Sequence, residues 1–331
     1  MNSFLRRCLR ALCWAVCFLA TTAAAGDFAE RDDVRLFVAE MAGRHGFDSD
    51  ALLAVFGQVR PLPAVIKAIM PPADPAIRSW RTYRGRFVEP KRTAAGLRFW
   101  REHRTALARA GARYGVPEEI VVAIIGIETI YGRNTGRFGT LAALATLAFD
   151  YPPRAELFRR ELEALLLLAR EQGRDPLSYR SSYAGALGLP QFLPSSLRQW
   201  AVDFDGSGGI DLAGSPADAI GSVANFLREH GWQPGEPVAA RVEVDGNPQA
   251  LLDEGIRPVR LPAAMAALGV APASLTAAVE QPAALIDLVT PDAPTEYWLG
   301  YQNFFVITRY NRSSFYAMAV YQLAAALRAA R

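Results

Sequence analysis

One glutamate in this sequence stands where a carboxylate is costly. Residues 120–130 read IVVAIIGIETI, an apolar run on every face, so the pattern predicts a buried helix rather than an amphipathic one. A carboxyl group placed there avoids the desolvation cost by keeping its proton. Glu128 should therefore ionise near neutral pH and behave as an acid, the property needed to protonate a departing glycosidic oxygen. A competing reading pairs it with a nearby cation such as Arg133 or Arg137, and spacing alone leaves both open. Two-carboxylate glycosidases need a second acid across the scissile bond, and none stands near Glu128 in sequence. His45, His103 and His230 are scattered singly, without ligand spacing. No nucleophile elbow, phosphate loop or zinc motif is present.

Two further blocks carry chemistry. Residues 182–196, SYAGALGLPQFLPSS, combine Gly185 and Gly188, which permit close backbone approach, with Ser182 and Gln191. These two offer neutral hydrogen-bonding groups suited to sugar hydroxyls and acetamides. Taken alone the block is also an ordinary Gly-rich turn. Residues 203–209, DFDGSGG, place Asp203, Asp205 and Ser207 at positions 1, 3 and 5, Gly208 at 6, and the Gly209 carbonyl at 7. That matches the start of an EF-hand calcium loop. Position 12 is Gly214 instead of glutamate, and Asp218 lies four residues on, able to close a lengthened loop. A plain Asx-turn loop is the alternative.

The elements that must hold these residues are mostly helical. Val34, Phe37, Val38 and Met41 have helical spacing, and the Asp48-Ser49-Asp50 cluster caps a second helix over 51–59. Residues 96–114 read as one helix. Pro117, with Glu118 and Glu119 behind it, starts the next. Helices are expected over 141–147, 156–172, 217–230 and 316–328, with a loop-rich stretch over 181–214. Between about 234 and 285 the character shifts: AARVEV (239–244) alternates like a strand, and 255–261 suggests a second. The expected fold class is mainly α (α+β).

Length and composition agree. The chain has 331 residues, 51% of them hydrophobic and 21% charged, enough to bury a large core in two or three units. Residues 1–25 carry Arg6, Arg7 and Arg10, an apolar stretch ALCWAVCFLA (11–20), and Ala23-Ala24-Ala25, the pattern of a cleaved signal peptide. A retained anchor is the alternative, disfavoured by the short apolar run. Cys8, Cys13 and Cys17 all fall in this segment and none has a lipid-attachment context. The mature chain is thus expected to lack thiols and disulfides. Removing three arginines from a net charge of +3 leaves about zero, which argues against a nucleic-acid partner.

These blocks together resemble the lytic murein transglycosylase B family. The matching segments are AIIGIETIYGR (123–133), LATLAFDYPPRAELF (144–158), SYAGALGLPQFLPSS (182–196), AVDFDGSGGIDL (201–212), DAIGSVANFLREHGW (218–232) and YWLGYQNFFVITRYNRSSFYAMAV (297–320), in order along most of the chain. The resemblance implies a lysozyme-like helical catalytic core over 96–233 containing the EF-hand-like loop, a helical N-terminal region over 27–95, a small β subdomain over 234–290, and a segment 291–331 completing the core. It implies a monomeric periplasmic enzyme whose partner is peptidoglycan, with contacts to cell-wall synthesis machinery also open. The enzyme would cut the bond between N-acetylmuramic acid and N-acetylglucosamine and leave 1,6-anhydro ends. By the same resemblance Glu128 is the single acid/base, with Ser182 and Gln191 orienting it and the substrate. Tyr83, Phe226, Tyr310, Asn311 and Tyr316 fall at groove positions, Phe226 where relatives can carry tyrosine. Asp203, Asp205, Ser207, Gly209 and Asp218 match a structural calcium site, while the chemistry itself requires no cofactor. A hydrolytic muramidase and a non-catalytic peptidoglycan-binding protein are the competing functions.

Overall fold

The computed structural model describes residues 28–71, 79–273 and 279–331. The expected signal peptide and its three cysteines lie outside them. In chain order the helices are α1 (Asp32–His45), α2 (Ser49–Phe56), α3 (Pro63–Ile69), α4 (Trp80–Phe87), α5 (Pro90–Glu102), α6 (Arg104–Tyr114), α7 (Glu118–Thr129), α8 (Thr140–Asp150), α9 (Ala155–Glu171), α10 (Pro194–Trp200), α11 (Pro216–Glu229), α12 (Gln249–Leu252), α13 (Pro262–Ala266), α14 (Gln302–Tyr310) and α15 (Ser314–Ala329). The strands are β1 (Phe138–Gly139), β2 (Arg180–Ser181), β3 (Ala239–Val244), β4 (Val270–Pro272), β5 (Ala284–Leu288) and β6 (Glu296–Gly300).

Helix α7 is the axis of the molecule. Every residue from Ile120 to Ile127 is buried, and α5, α6, α11 and α15 all pack on it. The run of apolar residues on all faces thus reflects neighbours on all faces. Glu118 and Glu119 occupy its positive end, after Pro117 at the N-cap. The N-terminal helices join the same apolar core: Phe28, Phe37, Met41 and Phe56 lie in one cluster with Leu144, Ile124 and Leu323.

The single helix expected over 96–114 is two. His103 leaves helical geometry (φ −112°, ψ 22°), ending α5 and starting α6, with its ring against Phe99 at 4.5 Å. The Gly-rich stretch also holds a short helix, α10, begun by Pro194.

The β subdomain is an antiparallel sheet of order β4-β3-β6-β5. Its central strand β6 pairs with both β3 and β5, setting Trp298 opposite Arg241 and Ile286, so the sheet runs past residue 290. The strand expected over 255–261 is reduced to one bridge between Arg260 and Ala283. Pro258 and Pro262 flank it, and proline cannot donate to a ladder. Val242, Val270, Leu285, Leu299 and Tyr301 form a second, smaller apolar cluster here. The subdomain is tied to the helices where the Trp80 amide donates to Val289 O at 2.8 Å. Among the described residues no helix is long and apolar enough to cross a membrane.

Candidate active site

Glu128 occupies the last turn of α7, where the helix stops abruptly. Ile130, Tyr131 and Gly132 are all left-handed, with φ of 53°, 58° and 86°. A β-branched residue rarely adopts that conformation, and strain of this kind concentrates at functional sites. Thr129, fully buried, holds the turn: its Oγ1 donates to Leu189 O at 2.9 Å and accepts from the Gly132 amide at 3.0 Å. The chain then doubles back through 133–138, and β1 pairs with β2, setting Phe138 opposite Ser181. Gly136 permits this approach. At φ 98°, a Cβ there would lie 2.1 Å from the Ser181 carbonyl.

A cleft of about 590 Å³ opens between these segments, lined by Glu128, Arg133–Phe138, Ser182, Tyr183 and Gln191. Glu128 is the one carboxylate in that lining. It is part-buried, and Tyr316 Oη donates to its Oε1 at 2.6 Å. Among the described residues no cation lies in salt-bridge range of it, so the alternative of an ion pair with Arg133 or Arg137 falls. Burial raises its pKa from 4.5 to about 7, against a smaller lowering by the Tyr316 hydrogen bond. The group can therefore hold a proton at neutral pH and also release it.

Three tyrosines surround this carboxyl. Tyr316, at the start of α15, is 2% exposed and stacks on Tyr310 (centroids 6.3 Å apart, 13° between planes). Burial and the charge of Glu128 push both phenols well above their ordinary value. Tyr83 packs on Phe87 and Phe315, and the same two causes raise it to about 12. All three stay neutral donors at any pH where Glu128 titrates.

The Gly-rich block closes the other side. Gly188 (φ 68°) lies where a Cβ would meet Leu212 O at 2.4 Å, bringing the loop onto the segment after 209. Gln191 is itself left-handed (φ 52°). Its Nε2 donates to Thr135 O at 3.1 Å and Gly188 O at 2.9 Å, which leaves the carbonyl oxygen to accept from a ligand. Ser182 Oγ accepts from the Ala186 amide at 3.2 Å and keeps its proton to donate. Tyr310 Oη donates to Pro190 O at 2.6 Å, fastening the loop to α14.

Glu128, Ser182 and Gln191 are thus brought to one cleft, with Tyr83, Tyr310 and Tyr316 around the carboxyl. Asn311 is exposed at the end of α14, next to Tyr310. Phe226 is 5% exposed, stacked on His230 at 3.9 Å and edge-on to Tyr310 at 4.9 Å, so it supports the tyrosine that adjoins the carboxyl. Thr129 and Arg133, by contrast, belong to the site without having been singled out for it. Both adjoin Glu128 closely in sequence, which was the available signal.

In the 203–218 loop, carboxylate oxygens of Asp203, Asp205 and Asp218 lie within 4.8 Å of one another. Asp203 accepts from the amides of Gly206, Ser207 and Gly208 at 2.8–3.0 Å. Ser207 Oγ donates to Gly209 O at 3.2 Å. Asp218 is fully buried and accepts from the amides of Phe204, Asp205 and Asp211. Hard oxygen donors at this separation fit a calcium ion. Asp211, at loop position 9, turns its carboxylate to the Ala213 and Gly214 amides instead.

A family model described as Transglycosylase SLT domain matches residues 29–325. The chain belongs to this family of lytic transglycosylases. Membrane-bound lytic murein transglycosylase B of Escherichia coli (strain K12) is 43% identical over 318 residues, 92% of this chain and 85% of that protein. Among solved structures, the soluble lytic transglycosylase SltB1 from Pseudomonas aeruginosa is 47% identical with a TM-score of 0.84, covering 90% of this chain and 99% of that one. Escherichia coli Slt35, solved in complex with calcium, is 41% identical (TM-score 0.81; 93% and 96% covered). Pseudomonas aeruginosa SltB3, solved with NAG-anhNAM-pentapeptide, is 32% identical (TM-score 0.78; 92% and 80% covered). The expected mainly helical, lysozyme-like fold of this transglycosylase is the one these relatives share.

Proposed function

We propose that this enzyme cleaves the β-1,4 bond between N-acetylmuramic acid and N-acetylglucosamine in peptidoglycan, leaving a 1,6-anhydro end, with Glu128 as its only acid/base. The observation that carries the reading is the Glu128 carboxyl: open to a cleft, free of any ion pair among the described residues, and raised to about 7. In the first step its proton passes to the glycosidic oxygen as the C1–O bond breaks. The carboxylate then accepts the proton of the muramic 6-hydroxyl while that oxygen bonds to C1. No water is consumed, and Glu128 ends protonated as it began. A single carboxyl lining the cleft suits this sequence better than double-displacement hydrolysis, which needs two. Tyr316 steadies the carboxylate between the two transfers through its 2.6 Å hydrogen bond. Ser182 and the Gln191 carbonyl are assigned to sugar hydroxyls and acetamides, and Tyr83, Tyr310 and Asn311 to the groove walls. The NAG-anhNAM-pentapeptide with which SltB3 was solved carries an anhydro end of this kind.

The test is mass spectrometry of fragments released from purified sacculi. Anhydro ends lighter by one water than hydrolysed ends are expected, and Glu128→Gln should release almost none. Hydrolysed ends would make the enzyme a muramidase, and full activity in the variant would remove the acid/base role. The arginine-rich, apolar N-terminus supports export to the periplasm as the site of action. The loop of Asp203, Asp205, Ser207, Gly209 and Asp218 is assigned to a structural calcium ion, bracing the wall that meets Gly188. Calcium should raise the melting temperature of wild type and leave Asp203→Ala unmoved; an indifferent wild type would end that assignment.

A further inference from the structure

Among the described residues one arginine is buried, and the proposed chemistry does not use it. Arg92, in the first turn of α5, is 7% exposed. No carboxylate of the described residues lies in salt-bridge range of it. Glu89, whose charge reaches it, turns its own carboxylate to the Lys91 amide. Burial lowers the guanidinium's pKa, with Tyr131 and Glu89 acting the other way, yet an arginine stays charged at any working pH. A buried charge without an ionic partner is costly, and the start of its own helix is the wrong end for a cation. What holds it there is therefore informative.

Two other helix ends hold it. Nη1 donates to Gly126 O at 2.5 Å and Nη2 to Arg86 O at 3.1 Å. Gly126 belongs to the last turn of α7 and Arg86 to that of α4, where carbonyls run short of helical partners and the dipole is negative. These two helices carry the reacting carboxyl and a phenol beside it. Glu128 stands two residues beyond Gly126, and Tyr83 three before Arg86. The Gly126 carbonyl also accepts from the Ile130 amide at 3.1 Å, and the segment between them contains Glu128. On the α4 side the guanidinium lies over the Phe87 ring, 5.4 Å from its centroid, and Phe87 packs on Tyr83 at 4.9 Å. We propose that Arg92 is a positioning residue of the reaction: by tying the ends of α4 and α7 together, it fixes where the Glu128 carboxyl stands against Tyr83 and the scissile bond. An ammonium would satisfy the two dipoles, whereas a planar fork holds both carbonyls in one geometry.

This role rests on Glu128 being the acid, and the experiment separates the two. Soluble glycan strands are digested by wild type and variants, with kcat, KM and melting temperature measured for each. Arg92→Met should lower kcat by about tenfold to a hundredfold, the loss that a displacement of about 1 Å produces. KM should barely move, because the side chain is buried away from substrate. The alkaline limb of kcat/KM should stay where wild type has it, since burial and Tyr316 set the ionisation of Glu128. Arg92→Lys should recover the melting temperature but only part of kcat. In Arg92→Ala, millimolar guanidinium should restore kcat where methylammonium does not. Wild-type kcat in Arg92→Met would make the residue merely structural. Full kcat in Arg92→Lys, an equal response to both cations, or a displaced alkaline limb would mean that charge acts rather than the fork; each of these overturns the proposal and leaves the chemistry standing. If the methionine and alanine variants do not fold, Arg92→Lys decides alone. Wild type that releases no anhydro ends overturns the chemistry, and this inference with it.

Discussion

The hydrogen bond from Tyr316 to Glu128 makes a quantitative demand on the pH profile. Burial raises the carboxyl, and the phenol, at 2.6 Å from Oε1, works against that by stabilising the charged form. Tyr316→Phe removes the hydroxyl and leaves the ring's packing on Tyr310. A hydrogen bond to a charged group is worth about 1.5–3 kcal/mol, and one pH unit corresponds to about 1.36 kcal/mol. Without the bond the carboxyl should therefore hold its proton to a higher pH by roughly one to two units. The alkaline limb of kcat/KM against pH, which reports the free enzyme's acid, should move up by that amount from its wild-type position near 7. The assay is muropeptide release from sacculi across pH 5–9, with circular dichroism to verify folding. A limb that stays in place, or moves toward acid, would show that Tyr316 does not set the ionisation of Glu128.

Two further outcomes follow from the same geometry. Because the folded carboxyl titrates near 7 and the unfolded one near 4.5, the unfolded chain releases its proton first. Glu128 therefore costs stability as pH rises through that window, and the cost is complete above the folded value. Glu128→Gln should be more stable than wild type at pH 8 by up to about 3 kcal/mol, less where solvent reaches the carboxyl, with little difference at pH 4; a melting-temperature difference that ignores pH would contradict this. Thr129→Val keeps the shape but strands the Leu189 carbonyl and Gly132 amide, and the displaced acid should cost about tenfold or more in kcat. Thr129→Ser should restore most of it, and equal losses in both variants would point to the methyl group instead.

Much of the site was legible because burial and charge are both written locally. A glutamate inside IVVAIIGIETI announces its own desolvation, and the DFDGSGG run announces its turn. The helix around 32–45 followed from periodicity, with Val34, Phe37, Val38 and Met41 all turned to the core. What escaped depends on contacts distant in sequence or on backbone conformations that residue type disfavours. Nothing in Ile130, Tyr131 or Gln191 signals a left-handed residue, because tertiary contacts such as that of Thr129 with Leu189 impose it. The packing of Phe226 on His230 and Tyr310 was likewise invisible in the sequence, since it joins α11 to the end of α14. The strand at 255–261 failed on Pro258 within it and Pro262 just beyond it, and the break at His103 follows no propensity rule we can name.

The acid and the phenol that tunes it lie 188 residues apart, one on the central helix and the other on the last. A chain read from its N-terminus therefore acquires its glutamate long before the helix that adjusts it. Until Ser314–Ala329 docks, residue 128 lacks its phenol partner and one of the four helices packed on its own. A fragment clipped short of the last helix is therefore expected to keep its glutamate and lose the phenol that steadies it.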